Sequence, residues 1–451
     1  MARTARGTIF TSPTSGYELT NADMVNRMQV TSHSWMVMAH LNDLPGIKQL
    51  TAKIPLLFSV FYNKSSNFQP AAQRVDMYGD SLPPPTGNTT DQGILLETRD
   101  GKYSLKVTKY KTSATNASST GGLNNLMWYL GTGQVWFAQW ANRFEFNQSG
   151  NLLSDKVPVP DPTNTSYNYG QAEGETLEQA QAREAAAVAG WRAWQKSVDP
   201  RFYTAWKLDL NAADGNYTQA QPSGLAVTED SVSKGYEFEF NAQATKNWRL
   251  TFNAAKTTAV RSNVGGTALT DFVSKYEPAL NNTKAGDLRL WWGGAGNITS
   301  LVDWNTRFGS AYHLLKLQEG SNVAELRKWR FNVISNYNFD HGFLTGVNVG
   351  GGMRYESPIA IGYLPVLGAT PTEIGFDLAN PYMGEREFNF DFWVGYTRKV
   401  WKNVEWTIQL NLRNAFVGDE LIPITTQPDG TPAGYRIKPP QTWSLTNTFR
   451  F

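Results

Sequence analysis

Few residues in this chain are spaced for catalysis or metal capture. The four histidines, His33, His40, His313 and His341, stand far apart. His40 has Asp43 three residues on and His341 has Asp340 beside it, yet neither pair gains a third ligand close by. A zinc-type site needs three or four ligands at defined spacings, so these read as polar residues of loops and turns, and no metal is expected. Glu237 and Glu239 fall on one face of a strand, where two carboxylates can share acid/base work or simply face water; the second reading is preferred. The run Gly350-Gly351-Gly352 sits inside an alternating pattern and opens no helix, as a phosphate cradle must. It reads as a strand that bends or leaves room for a packed group. No GxSxG, HExxH or Walker loop occurs, so no catalytic residue and no cofactor are expected. Trp291, Trp292 and Trp304 are candidate ligand-binding residues: either they stack a sugar or planar ligand, or they bury themselves in a folded loop.

Whatever these residues do, the chain must first hold them. It has 451 residues, enough for two or three soluble domains or one large barrel. Lys and Arg total 41 against 39 acidic residues, a net charge of +2, which offers no electrostatic attraction for nucleic acid. The absence of cysteine excludes disulfides and thiolate metal sites. Aromatic residues make up 13% of the chain, while mean hydropathy is −0.42. Many aromatics in a polar average suit strands with one face in lipid and the other in a wet interior, and suit a carbohydrate-binding β protein as well. No apolar run reaches the roughly 18 residues of a membrane helix, and the first twenty residues lack the apolar core of a signal peptide.

The dominant pattern is period 2. Tyr236, Phe238 and Phe240 alternate with Glu237 and Glu239, and a short turn leads to Trp248, Leu250 and Phe252 alternating with Arg249 and Thr251. The same pattern predicts strands over 329–339, 343–349, 388–397, 404–413 and 443–451, with further strands at 56–62, 94–98 and 103–107, the last two flanking Asp100-Gly101. Runs of nine to eleven residues match a tilted strand crossing a bilayer. Turns after Gln243, Phe339 and Val400 are tight, whereas 258–326, 356–385 and 415–440 are long and rich in Gly, Pro, Asn and Thr. Loops sorted by length in this way mark a membrane barrel, with long loops outside and short turns in the periplasm. Between 123 and about 200 the composition turns helical. Thr176-Leu-Glu-Gln179 forms a capping box ahead of an Ala-rich stretch, predicting an exposed helix over 176–197 within an extracellular excursion and a second helix in 123–145. The fold expected is all-β: a partial antiparallel transmembrane β-barrel of roughly ten to twelve strands over 51–451, after an irregular segment at 1–50 that can include barrel strands.

Four stretches resemble a TonB-dependent outer-membrane receptor: Phe58-Ser-Val-Phe-Tyr through Phe68-Gln-Pro70; Pro84 to Gly93 with the Asp100-Gly101 hairpin; Ser233-Lys-Gly-Tyr-Glu-Phe-Glu239; and Asn411-Leu-Arg-Asn-Ala-Phe416 before the last strand. Their order is similar to that of the C-terminal part of the family barrel. The last strand also resembles the C-terminal signal read by the barrel-assembly machinery, with Trp443, Leu445, Phe449 and Phe451 on one face. No plug domain, TonB box or signal peptide is seen, so the chain is expected to be a C-terminal fragment or the product of an internal start. The resemblance implies uptake of a scarce, bulky solute (siderophore, vitamin, glycan or metal complex) across the outer membrane of a Gram-negative cell. Its implied partners are outer-membrane lipid, the assembly machinery, the extracellular solute, and the TonB energy-coupling complex through the missing plug. The alternative is a secreted β-rich carbohydrate-binding or adhesin protein; a small self-contained porin fits the long loops poorly.

Overall fold

The computed structural model describes residues 31–51, 53–69, 73–119, 122–143, 173–211, 217–290, 298–321, 323, 326–367, 374–401 and 403–451. Eleven strands form one sheet in strict chain order. They are β1 (Ser34–His40), β2 (Leu56–Phe68), β3 (Thr86–Thr98), β4 (Tyr103–Ser118), β5 (Thr228–Ala242), β6 (Trp248–Ser262), β7 (Trp329–Asn338), β8 (Val347–Glu356), β9 (Glu387–Trp401), β10 (Val404–Ala415) and β11 (Thr442–Arg450). Every neighbouring pair is antiparallel. The sheet is open, with β1 and β11 at its two edges. Eleven strands fall within the number expected from period 2, and Ser34–His40 lies in the segment expected to be irregular.

Register explains the alternation. Across one face Val60, Ile94, Val107, Phe238, Ala254, Phe331, Tyr355 and Phe388 stand opposite one another from strand to strand. Across the other, Lys106, Glu239, Asn253, Asn332, Arg354 and Asn389 form a polar row. A slip of one residue would exchange the two faces, so a two-faced sheet fixes its own register.

Connections alternate in length along the sheet. Short links join β3 to β4, β5 to β6, β7 to β8 and β9 to β10, all at one end; long excursions leave the other end after β2, β4, β6, β8 and β10. Several strands outrun the expected nine to eleven residues: β4 has 16 and β5, β6 and β9 have 15. At about 3.3 Å per residue they carry the ladder well past a hydrocarbon layer of about 30 Å. One turn is longer than expected. Residues 342–344 form a 3-10 turn with Phe343 fully exposed, and the strand starts only at Val347.

The excursions after β4 and β6 carry a helical layer with its own core. It contains α1 (Trp128–Arg143), α2 (Leu177–Ser197), α3 (Pro200–Ala205), α4 (Gly266–Asn282), α5 (Ser300–Trp304) and α6 (Ser310–Leu317). The Thr176/Gln179 capping box at the head of α2 is formed, each side chain meeting the other's backbone N–H. The helix is not simply exposed: Ala180, Ala187, Trp191 and Trp194 are buried. Ala187, Trp191 and Trp194 meet Phe137, Phe202, Trp206, Phe272, Tyr276, Trp304 and Phe308 in one cluster. Burying each such side chain contributes on the order of 2 kcal/mol. The stretch 258–326, expected as loop, thus continues β6 and then supplies three helices, because its aromatics have this core to enter.

Glycines inside the sheet make room for rings. Phe61 lies directly opposite Gly93, Tyr110 opposite Gly235 and Trp393 opposite Gly350. A Cβ on Gly235 would stand 1.9 Å from the Lys256 carbonyl and 3.0 Å from the Tyr110 ring, and one on Gly350 would stand 2.2 Å from the Trp393 indole. The glycine run is therefore a strand segment that accommodates an indole. We predict that Gly235→Ala destabilises the sheet by about 1–3 kcal/mol through overpacking, whereas Gly418→Ala, which meets nothing within 4 Å, leaves it unchanged. Urea midpoints in detergent check both.

Candidate functional site

Two regions bring polar and aromatic side chains together: the polar face of the sheet and the layer beyond its long-loop end. On the polar face, β1 to β5 enclose a groove of about 560 Å³ lined by Met36, Phe61, Asp91, Lys106, Tyr110 and Glu237, among others. Its polar groups are already engaged with one another. Asn63 donates to Asp91 at 3.2 Å, Tyr110 and Thr257 share a 2.8 Å hydrogen bond, and Lys106 lies 3.7 Å from Glu239. Lys106 also sits 5.7 Å from the centre of the Phe61 ring. Glu237 and Glu239 share this face, Glu239 paired with a lysine across the strand. The arrangement is a wall of paired polar and charged groups with the Phe61 ring among them.

Polar contacts tie the ends of β4 to β6 to one another beneath the helical layer. Ser119 donates to Glu229 at 2.8 Å, and Arg261 lies 3.6 Å from the same carboxylate. Inside the layer Tyr129 donates to Asp303 at 2.7 Å, and Arg307 donates to the other oxygen of Asp303 at 2.7 Å. Burial pushes the Tyr129 and Tyr276 phenols above their ordinary range and keeps them neutral, Tyr276 accepting from the Gln134 amide at 3.1 Å. Glu184 is buried on α2 beside Arg183 and Arg289, with Arg289 at 2.9 Å. Desolvation pushes its carboxyl up to about 7 against the opposing pull of the two arginines.

A second ionic cluster ties the last two long loops to the sheet. Arg327, itself buried, reaches Glu356 at 2.9 Å, Glu387 at the head of β9, and the carbonyl of Ser357 at 2.7 Å. Arg436 also pairs with Glu387. Because Arg436 belongs to the hairpin formed by Leu421–Thr426 and Pro432–Ile437, this ion pair pins that hairpin to the sheet end.

The residues singled out in the sequence fall in different places. Trp304 is 1% exposed, and its indole N–H donates to Glu277 at 2.9 Å, so it is core and offers no open stacking face. Trp291 and Trp292 lie outside the described residues. His313 joins Glu277 at 2.7 Å, His341 joins Asp340 at 2.6 Å and His40 joins Ser59 at 2.9 Å. Trp443, Leu445 and Phe449 stand opposite Leu412, Leu410 and Trp406 on the apolar face, 60, 61 and 54% exposed, with Phe451 beyond them at 95%. The Arg327–Glu387–Arg436 cluster escaped sequence reading, since its members are far apart in the chain and carry no motif.

Comparison with known proteins sets this geometry in context. No known family profile and no curated protein matches the sequence. Among solved structures, the ferripyoverdine receptor of the Pseudomonas aeruginosa outer membrane is similar over 87% of this chain and 31% of its own, at 12% identity and TM-score 0.38. The ferric-catecholate import receptor Fiu of E. coli K12 is similar over 87% and 34%, at 15% identity and TM-score 0.37. The ferric yersiniabactin uptake receptor FyuA of Yersinia pestis is similar over 88% and 36%, at 9% identity and TM-score 0.36. All three are TonB-dependent outer-membrane receptors. The chain spans about a third of the length of each.

Two predictions follow from the charges in the loops. Glu184 binds its proton more tightly folded than unfolded, so between its ordinary carboxylate range and about pH 7 the folded layer holds more protons. Stability of the layer therefore falls as pH rises through that window and levels off above it. Amide exchange of α2 across pH 4.5–7.5, corrected for intrinsic rates, should show this slope, and Glu184→Gln should flatten it. Arg436→Ala should free the 421–437 hairpin for proteolysis while cleavage of the β3–β4 turn stays unchanged.

Proposed function

We propose that this chain is the C-terminal barrel segment of a TonB-dependent receptor that takes up a scarce, bulky solute, such as a siderophore, vitamin or glycan, across the outer membrane. The observation that carries the reading is the sorting of the connections. From β3 onward, long excursions leave one end of a two-faced antiparallel sheet and short turns close the other, where only the 41–55 link between β1 and β2 is longer among the described connections, as expected where one end faces outside and the other the periplasm. The ordered motifs around Phe58, Pro84, Ser233 and Asn411 support it. Gly93 and Gly235, which belong to two of them, are positions where a Cβ would strike backbone.

In this reading the apolar rows meet lipid and the polar rows face the interior. No helix among the described residues is long and apolar enough to cross a membrane, so any crossing falls to the strands. The helical layer and the Arg436-pinned hairpin form the outer rim that meets the solute. Energy coupling runs through a plug and the TonB complex, and the apolar face of β11 with Phe451 engages the assembly machinery. A secreted carbohydrate-binding or adhesin protein accounts less well for the exposed rings of Phe388, Phe392, Trp443 and Phe449, which water would not favour on one continuous face.

Expressed behind a signal peptide, the chain should fractionate with outer membrane, need detergent for extraction, and lose assembled material when Phe451 is deleted. Recovery as a folded, monomeric protein in plain buffer would overturn the proposal.

A further inference from the structure

Three register rows lie side by side on the apolar face of the sheet and change character in one direction. The first is the apolar row of Val60, Ile94, Val107, Phe238, Ala254 and Phe331. Two residues nearer the long-loop end, Tyr62, Gln92, Lys109, Tyr236, Lys256 and Trp329 stand opposite one another. Two residues further on, the row is Lys64, Thr90, Lys111, Lys234 and Thr258. Residues two apart along a strand share a face. The face therefore passes from hydrocarbon, through rings mixed with amines and an amide, to amines mixed with hydroxyls.

The five lysines gather on β2, β4, β5 and β6, and none forms an ion pair among the described residues. Lys64, Lys109, Lys111 and Lys234 are exposed. Lys256 lies 5.3 Å from the centre of the Trp329 ring. Lys111 stands directly opposite Lys234, and like charges so placed oppose strand pairing. The inner face treats a lysine differently: Lys106 has Glu239 across the strand at 3.7 Å. On the lysine face of these four strands the one acid among the described residues is Asp230, beyond the lysines. It already accepts from the Asn116 N–H at 2.9 Å and the Asn263 amide at 3.3 Å. The cations also occupy one sector, since the alternating positions of β7, β8, β10 and β11 on this face hold no Lys or Arg. A rim that met only water would mix both signs, as Lys438 and Glu420 do in the loops at 2.8 Å.

We infer that the β2–β6 sector is a binding site for a phosphorylated glycolipid of the surrounding leaflet. Its acyl chains lie along Val107 and Phe238, its sugar rings meet Tyr62, Tyr236 and Trp329, and its phosphates neutralise the lysines, whose stems run along the sheet. This rests on the receptor-barrel reading above. The order of the rows selects this occupant. Inorganic phosphate uses the lysines alone and leaves the apolar and aromatic rows unmatched, and a phospholipid has no sugar for the middle row.

The full chain, extracted from outer membrane in detergent, is equilibrated with bisphosphorylated lipid A, the same glycolipid stripped of both phosphates, phosphatidylglycerol or inorganic phosphate, and retention is read by native mass spectrometry. We expect bisphosphorylated lipid A to be held most tightly. Lys111→Gln with Lys234→Gln should weaken its retention by roughly thirtyfold, about fivefold per lysine. Lys111→Arg with Lys234→Arg should keep it, and Lys106→Gln on the inner face should leave it unchanged. Equal retention of the stripped glycolipid, of phosphatidylglycerol or of inorganic phosphate overturns the inference, as does undiminished retention by the glutamine variant. Without lipid, that variant should unfold at no lower urea concentration than wild type, because it relieves a like-charge pair. Should it fail to fold, the arginine variant and the four ligands on the wild type decide. A chain recovered folded without detergent defeats the receptor reading instead, a separate outcome.

Discussion

The antiparallel backbone ladder is the constraint on which the rest of this molecule depends. Each strand must give its N–H and C=O groups to two neighbours, and each neighbour must run the other way. From that follow the strict chain order of the sheet and the alternation of tight and long connections. Hairpins as short as 99–102 hold register at one end. Freed of that duty, the other end extends into excursions as long as 119–227. The ladder also explains why the sheet has two faces. Successive side chains point opposite ways, so one apolar series, from Val60 through Phe238 to Phe388, gathers on one side without any helix to cover it.

Close packing within the sheet depends on a narrower device. Phe61, Tyr110 and Trp393 each lie over a glycine on the next strand, where the missing Cβ leaves a ring-sized space. The ring in turn covers backbone that glycine would leave bare, as in the aromatic rescue of strand glycines. Tyr110 and Trp393 then anchor their polar tips, on Thr257 at 2.8 Å and Asn336 at 2.9 Å. Glycine is a poor strand former on its own. Here its cost is offset by the neighbour's ring, so Gly235 in the Ser233–Glu239 stretch is a packing requirement as much as a sequence signature.

How much was legible in the sequence depended on whether the signal was local. The hairpins at 236–252 and 388–413 were readable because period 2 and a short turn sit side by side in the chain. The capping box at Thr176 was readable because both members are within one turn. The helices α4 to α6 were not. Their stretch is rich in Gly, Asn and Thr, and what holds them helical is a core assembled from α1, α2 and α3, some hundred residues earlier. Trp304 shows the same limit. Its residue type left a stacking surface and burial in a folded loop equally open, and what decides for burial, the Tyr276 ring and the hydrogen bond to Glu277, depends on partners that no spacing rule names. The strand starting at Ser34 falls in the 1–50 segment, where strands were allowed for but not located, because seven residues beside an irregular stretch give too short a run to separate from chance.

The molecule thus combines two ways of burying apolar surface. The helical layer does what soluble proteins do: it closes Trp191, Trp206, Tyr276 and Phe308 inside a core and neutralises its inner charges pairwise, Asp303 with Arg307 and Glu184 with its arginines. The sheet leaves Phe392, Val394, Leu410 and Leu445 outside, with no element among the described residues burying them. A single aqueous solvent would not favour both arrangements in one chain, because the same hydrophobic effect that assembles the layer would collapse or aggregate the sheet. The two coexist if each half meets a different solvent: water around the long-loop end and hydrocarbon around the strands. In the membrane reading the boundary falls near the far ends of β4 and β5, where Ser119 donates to Glu229 and the Asn116 N–H to Asp230. In that reading the polar network satisfies the ends of the ladder where hydrocarbon would give way to an environment able to hydrate them.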